Sequence, residues 1–131
     1  MRGVKRYKGF MMRGVSKTSI DRWGRIRVPP EFLIVFKERY GNRIFITSLD
    51  PKNILIYPLS EWGKIVEKAR GKADSPLVRE PMGRINFLGF RAEIDERDRI
   101  LIPKELRNKT DLKGEIIIEG KEDYLALSKK K

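Results

Sequence analysis

Alternation of apolar and polar positions is clearest just before a pair of prolines. Residues 25–28 read R-I-R-V, so Ile26 and Val28 share one face and Arg25 and Arg27 the other, which predicts a short half-buried strand. A preceding strand leads into Asp21. Arg22-Trp23-Gly24 makes the turn between them, with Gly24 supplying the positive φ that tight turns demand. Pro29 and Pro30 stop the second strand. Pro30 suits the first turn of a helix through Phe32, Leu33 and Phe36, and Gly41 suits its C-terminal stop. Two further strands, 44–47 and 54–57, flank a turn at Asp50-Pro51-Lys52-Asn53.

The same order returns later in the chain. Residues 20–33 read I-D-R-W-G-R-I-R-V-P-P-E-F-L and residues 94–107 read I-D-E-R-D-R-I-L-I-P-K-E-L-R. At a constant offset of 74 residues, Asp21 matches Asp95, Arg25 matches Arg99, Ile26 matches Ile100, Pro29 matches Pro103 and Glu31 matches Glu105. So many matches in register argue for an internal duplication. The second copy is expected to carry a shorter helix near Glu105. Its hairpin would run through 116–118, turn at 120–123 and return through 124–127.

A helix is expected between the copies. Ser60 is a good N-cap, and Trp62, Ile65, Val66 and Ala69 follow at amphipathic spacing. A second candidate helix starts near Ser75 with Leu77, Val78 and Met82, weakened by Pro81 and Gly83. Both apolar stripes read as packing faces. The resulting organisation is a first repeat over 12–59, a helical connector over 60–91, a second repeat over 92–128 and a basic N-terminal extension over 1–11. Neither half closes a core by itself, so two interleaved halves sharing one barrel is the economical arrangement.

Composition narrows the function. A chain of 131 residues suits one compact core. There is no run of about 18 apolar residues for a membrane span and no secretory pattern at the N-terminus, which leads to the expectation of a cytoplasmic protein. Cysteine and histidine are absent, which excludes disulfides, thiol nucleophiles, histidine bases and the usual zinc sites. No cofactor or metal is expected. Glutamine is absent too, while Lys, Arg and Glu abound, a balance also met in heat-adapted proteins. The net charge of +12 points to a polyanion partner. Six basic residues and no acid lie within residues 1–20: Arg2, Lys5, Arg6, Lys8, Arg13 and Lys17. They and the closing Lys129-Lys130-Lys131 would add sequence-blind phosphate contacts, or serve only as solvated ends.

The duplicated D-x-x-x-R bends, each followed by a proline and a hairpin, identify a resemblance when joined to the stretches Met12-Arg13-Gly14, Leu55-Ile56-Tyr57-Pro58-Leu59-Ser60-Glu61-Trp62 and Leu88-Gly89. Over nearly the whole chain after residue 10, it resembles the MraZ family of bacterial transcriptional regulators. The resemblance implies an α+β, mainly β fold: a double-split, AbrB-like swapped-hairpin β-barrel of two tandem repeats with a few short helices. It also implies a ring-shaped homo-oligomer, nucleoid-associated, that binds direct repeats in double-stranded DNA upstream of the division and cell-wall gene cluster. Carried over, the DNA-contacting pairs are Asp21 with Arg25 and Asp95 with Arg99. The same loops contribute Arg22, Arg27 and Arg97, and Arg13 joins them from the N-terminal basic cluster.

The chemistry suits those assignments. Arginine's planar fork pairs with the O6 and N7 edges of guanine or with phosphate. The aspartate four residues earlier would accept turn amides and hold the arginine in one rotamer. The same pairs also read as plain turn-stabilising ion pairs. The two loops differ: the second places Glu96 for Arg22, Asp98 for Gly24 and Leu101 for Arg27, so the first is expected to dominate affinity. Trp23 at the tip reads first as packing over the barrel end and second as a stacking surface for a sugar. Rival readings are an RNA-binding or antitoxin-like module on the same fold, an enzyme using Asp21 and Asp95 as a carboxylate pair, and a scaffold acting through ring assembly alone.

Overall fold

The computed structural model describes residues 11–70 and 89–130. Most of the basic N-terminal extension, the candidate helix near Ser75 and Lys131 lie outside the described residues. Strand β1 (Met12–Ser19) leads through a turn to β2 (Arg25–Arg27). Helix α1 (Pro30–Val35) follows with proline in its first turn, as the sequence predicts. Its last turn widens into a π-helical turn (Phe36–Tyr40), in which the Gly41 amide reaches back five residues to the Phe36 carbonyl, 2.6 Å away. Gly41 ends the turn at φ +95°, a conformation that suits glycine. The hairpin of β3 (Arg43–Thr47) and β4 (Ile54–Pro58) runs straight into α2 (Leu59–Arg70). The second half repeats the order with β5 (Phe90–Glu93), β6 (Arg99–Leu101), α3 (Lys104–Thr110), β7 (Glu115–Glu122) and β8 (Leu125–Lys129).

Six strands form one antiparallel sheet in the order β1-β7-β8-β4-β3-β5, and β2 pairs with β6 in a separate ribbon. Strands are exchanged between the halves. β1 of the first lies against β7 of the second, and β5 of the second lies against β3 of the first. The central β4–β8 pair joins the two hairpins. One core results, drawing Ile26, Phe32, Phe36, Ile44 and Ile56 from the first half and Ile100, Ile102, Leu106, Ile116 and Leu127 from the second. Each such side chain contributes about 1.5–3 kcal/mol of burial free energy, and both halves contribute to the one core. A smaller cluster of Phe45, Tyr57 and Trp62 seats α2, with the Phe45 and Trp62 rings stacked at 4.4 Å.

Two local expectations are corrected. Ser60 does not cap α2, because the helix already begins at Leu59, directly after β4. The turn expected at 120–123 is instead strand as far as Glu122. β1 pairs with β7 along its whole length and holds Gly120 opposite Gly14 and Lys121 opposite Arg13. The reversal is confined to Glu122, at φ +71°, and the next two residues, closed by the Lys121 amide on the Tyr124 carbonyl.

Thr47 is fully buried, and its hydroxyl has no hydrogen-bond partner among the described residues. Replacing Thr47 by valine keeps the shape and removes the desolvated hydroxyl. The expected gain is about 1 kcal/mol, read as a higher urea midpoint with an unchanged slope.

Candidate nucleic-acid interface

The two D-x-x-x-R bends have the same geometry. In the first, Asp21 Oδ1 accepts the backbone amides of Trp23 and Arg25, each at 2.9 Å, and Oδ2 accepts Arg25 Nε at 3.3 Å. In the second, Asp95 Oδ1 accepts the amides of Arg97 and Arg99 at 2.8 and 2.9 Å, and Oδ2 accepts Arg99 Nε at 3.3 Å. Each aspartate thus pins the turn and aims the arginine. Only Nε is spent in that bond. The terminal nitrogens of Arg25 and Arg99 keep their fork, and the two side chains are 30% and 23% exposed.

The ribbon brings the bends together. Val28 donates its amide to the Asp98 carbonyl at 2.9 Å and Ile102 donates to the Gly24 carbonyl at 2.8 Å, so the tip of each loop is tied to the chain of the other. Ile26 and Ile100 pair face inward and are buried. Arg25, Arg27, Arg99 and Leu101 alternate with them onto the outer face, where Leu101 is 54% exposed. Arg27 Nη1 also donates to the Arg97 carbonyl at 3.2 Å, so it bridges to the second loop. Arg22 and Arg97 are exposed in the loops themselves. Arg13 is not brought to this face. It lies eight residues back, on the order of 26 Å of extended chain from Asp21, with its guanidinium 3.6 Å from Glu122.

The expectation that Trp23 packs over the fold is corrected. Its side chain stands out from the tip of the first loop, 56% exposed, with the guanidinium carbons of Arg22 and Arg25 at 4.4 and 5.1 Å from the ring centre.

Two residues at the site escaped the reading of the sequence. Arg107 donates Nε to the Ile102 carbonyl and lies over Gly24, where an added Cβ would meet the guanidinium at 2.6 Å. Its counterpart in the first repeat is Leu33, so the duplication itself gave no signal for it. Lys37 sits 3.7 Å from Asp98. Asp98 adopts φ +64° where Gly24 adopts +92°, a conformation aspartate tolerates better than most residues.

Both loop aspartates are held below the ordinary carboxylate value of 3.8. The main cause is the backbone amide of the arginine four residues on, Arg25 for Asp21 and Arg99 for Asp95, opposed by desolvation and reinforced by the second turn amide and the charge of that same arginine. A depressed folded value means that the stabilisation is complete above 3.8 and is lost as pH falls through the folded value. The loops are therefore expected to hold their geometry from neutrality down to pH 3.8 and to loosen only below it. Trp23 fluorescence followed through an acid titration checks this, and a transition centred between pH 5 and 7 would contradict it. Carboxylates kept ionised in this way are poor general acids.

Among the described residues no helix is long and apolar enough to cross a membrane, and no group of acidic side chains could hold a metal ion. No protein-family model matches the chain. Individual relatives do. The chain is 35% identical over 119 residues to the transcriptional regulator MraZ of Acidobacterium capsulatum, covering 90% of this chain and 82% of the relative. It is 31% identical to MraZ of Koribacter versatilis, covering 89% and 81%. For MraZ of Neisseria meningitidis the figures are 32% identity, 89% and 79%. A Pyrococcus horikoshii protein solved in solution covers 92% of this chain and 97% of its own at 19% identity, with a TM-score of 0.39. With a third of its residues shared along nine-tenths of its length, the chain belongs to the MraZ family of transcriptional regulators.

Proposed function

We propose that the chain regulates transcription by sequence-specific binding of double-stranded DNA through the outer face of the β2–β6 ribbon and its two loops. The observation that carries this reading is the antiparallel pairing of β2 with β6, which sets the two Asp–Arg bends at the two ends of one short ribbon with Arg25, Arg27 and Arg99 on its outer face. Asp21, Arg22, Arg25 and Arg27 form the first contact set, and Asp95, Arg97 and Arg99 the second. Arg13, from the far end of β1, meets only phosphate, where the duplex extends along the sheet.

The exchanged strands support assignment to the double-split, swapped-hairpin β-barrel, with the repeats at 12–59 and 92–128 acting as a pseudo-dimer around the connector 60–91. Copies assemble into a ring and sit on direct repeats upstream of the division and cell-wall gene cluster, at the nucleoid. One ribbon gives modest affinity, and several ribbons on successive repeats raise it through effective concentration.

The test is a titration of labelled duplex carrying two or more direct repeats, with structured RNA and scrambled duplex as competitors, alongside light scattering of the free protein and the complex. Preference for the repeat duplex and a defined oligomer are expected. Stronger competition by the RNA would replace this reading with that of an RNA-binding module.

A further inference from the structure

We infer that Trp23 is a DNA-contacting residue, packing its indole on an apolar surface of the duplex while the neighbouring arginines take the polar groups. The inference rests on the duplex-binding reading of the ribbon and goes beyond the aspartate–arginine pairs. Trp23 and Trp62 are the chain's two tryptophans, and their surroundings are opposite. Trp62 is buried against Phe45, whereas Trp23 stands 56% exposed at the tip of a loop.

Exposure of so large a ring is unfavourable in the free protein. The loop that carries it is nevertheless rigid, since the Trp23 amide is bound to Asp21 Oδ1 and the Gly24 amide to the Asp21 carbonyl. The ring is thus presented by fixed backbone, with little ordering cost left for a binding event. Its immediate neighbours are the guanidinium groups of Arg22 and Arg25, both within cation–π range. An aromatic plane with two cations beside it matches a duplex, whose deoxyribose rings and thymine methyl groups offer apolar surface next to the phosphates. The second repeat lacks the device. Arg97 occupies the corresponding tip, flanked by Glu96 and Asp98.

Stacking or packing of one aromatic residue on nucleic acid contributes about 1–3 kcal/mol, so Trp23→Ala is expected to weaken duplex binding roughly ten- to hundredfold, with Trp23→Phe restoring most of the loss. The salt dependence separates this contact from an ionic one. Trp23→Ala should leave the slope of log K against log salt unchanged, whereas removal of a phosphate-bound arginine lowers it by about 0.9 per contact.

Fluorescence supplies an independent readout. Saturating duplex should quench the indole if it stacks on a base, or shift its emission to the blue if it packs on deoxyribose, and Trp23→Phe should abolish the change while Trp62 still emits. Unaltered emission and unaltered affinity in a protein that still binds the duplex would overturn the role of Trp23 alone. Failure of the unaltered protein to bind any duplex would instead overturn the reading of the ribbon.

Discussion

Arg25→Ala is expected to cost far more affinity for a direct-repeat duplex than Arg99→Ala. A bidentate arginine on a base edge discriminates by about 1–3 kcal/mol, a factor of about five to 150 at each contact. Where two copies of the chain engage one duplex through linked sites, the loss multiplies, reaching roughly 25-fold even at the lower figure. Arg25 looks out beside Arg22 and Arg27, with Asp21 the one acid of its loop. Arg99 shares its loop with three acids, Asp95, Glu96 and Asp98, and Arg27, which lies across the ribbon from it, is bonded to the Arg97 carbonyl. Lys37 lies 3.7 Å from Asp98, but that lysine is largely exposed and the pair is weak. Arg25→Lys should recover little of the loss, because an ammonium can neither donate Nε to Asp21 nor keep the planar fork. Anisotropy titrations of the three variants on one labelled fragment decide the matter, and equal losses at Arg25 and Arg99 would refute the asymmetry.

The asymmetry has a packing origin as well as an electrostatic one. Gly24 leaves room for the Arg107 guanidinium, which reaches the Ile102 carbonyl and so braces the ribbon beside the first loop. Asp98 instead carries a side chain toward Lys37, and the first-repeat counterpart of Arg107 is the apolar Leu33. Each loop is thus met by a cation from the opposite helical segment, Arg107 at the first and Lys37 at the second, while the second loop carries two more acids, Glu96 and Asp98.

The bends themselves were legible because their chemistry is local. An aspartate that accepts two turn amides, a residue of positive φ and a strand ended by proline are all specified within nine residues, and the second copy repeats the message. Long-range pairing is not written that way. Gly120 reads as a turn former, which puts the expected hairpin turn two residues early, whereas β1, about a hundred residues earlier, holds it extended. Ser60 reads as a cap only if a loop precedes it, and β4 leaves none. Trp23 reads from the sequence as a packing residue, whereas the tip of the aspartate-bound turn leaves it 56% exposed. Arg107 and Lys37 reach the loops from the helical segments that follow the opposite strands, and no spacing rule connects them to the bends.

The exchange of strands makes Gly120 the position where one added side chain should do most damage. In the β1–β7 register Gly120 faces Gly14, yet the two differ in what surrounds them. A Cβ on Gly14 would meet open space, and its cost comes from φ +90°, about 1 kcal/mol for alanine. A Cβ on Gly120 would stand 2.5 Å from the Met12 carbonyl carbon and 2.6 Å from the Arg13 amide nitrogen, both backbone atoms that no rotamer change can move. Gly120→Val must push β1 away from β7, expelling the fully buried Met12 side chain from the core and breaking the ladder at its far end. The expected loss is about 3 kcal/mol or more, against about 1 kcal/mol for Gly14→Ala, both read from urea midpoints. Because β1 runs directly into the first loop, DNA affinity should fall with the pairing in Gly120→Val and persist in Gly14→Ala. A Gly120→Val protein as stable as the unaltered chain would mean that β1 does not lie on the second repeat, and the interleaving of the halves would fall with it.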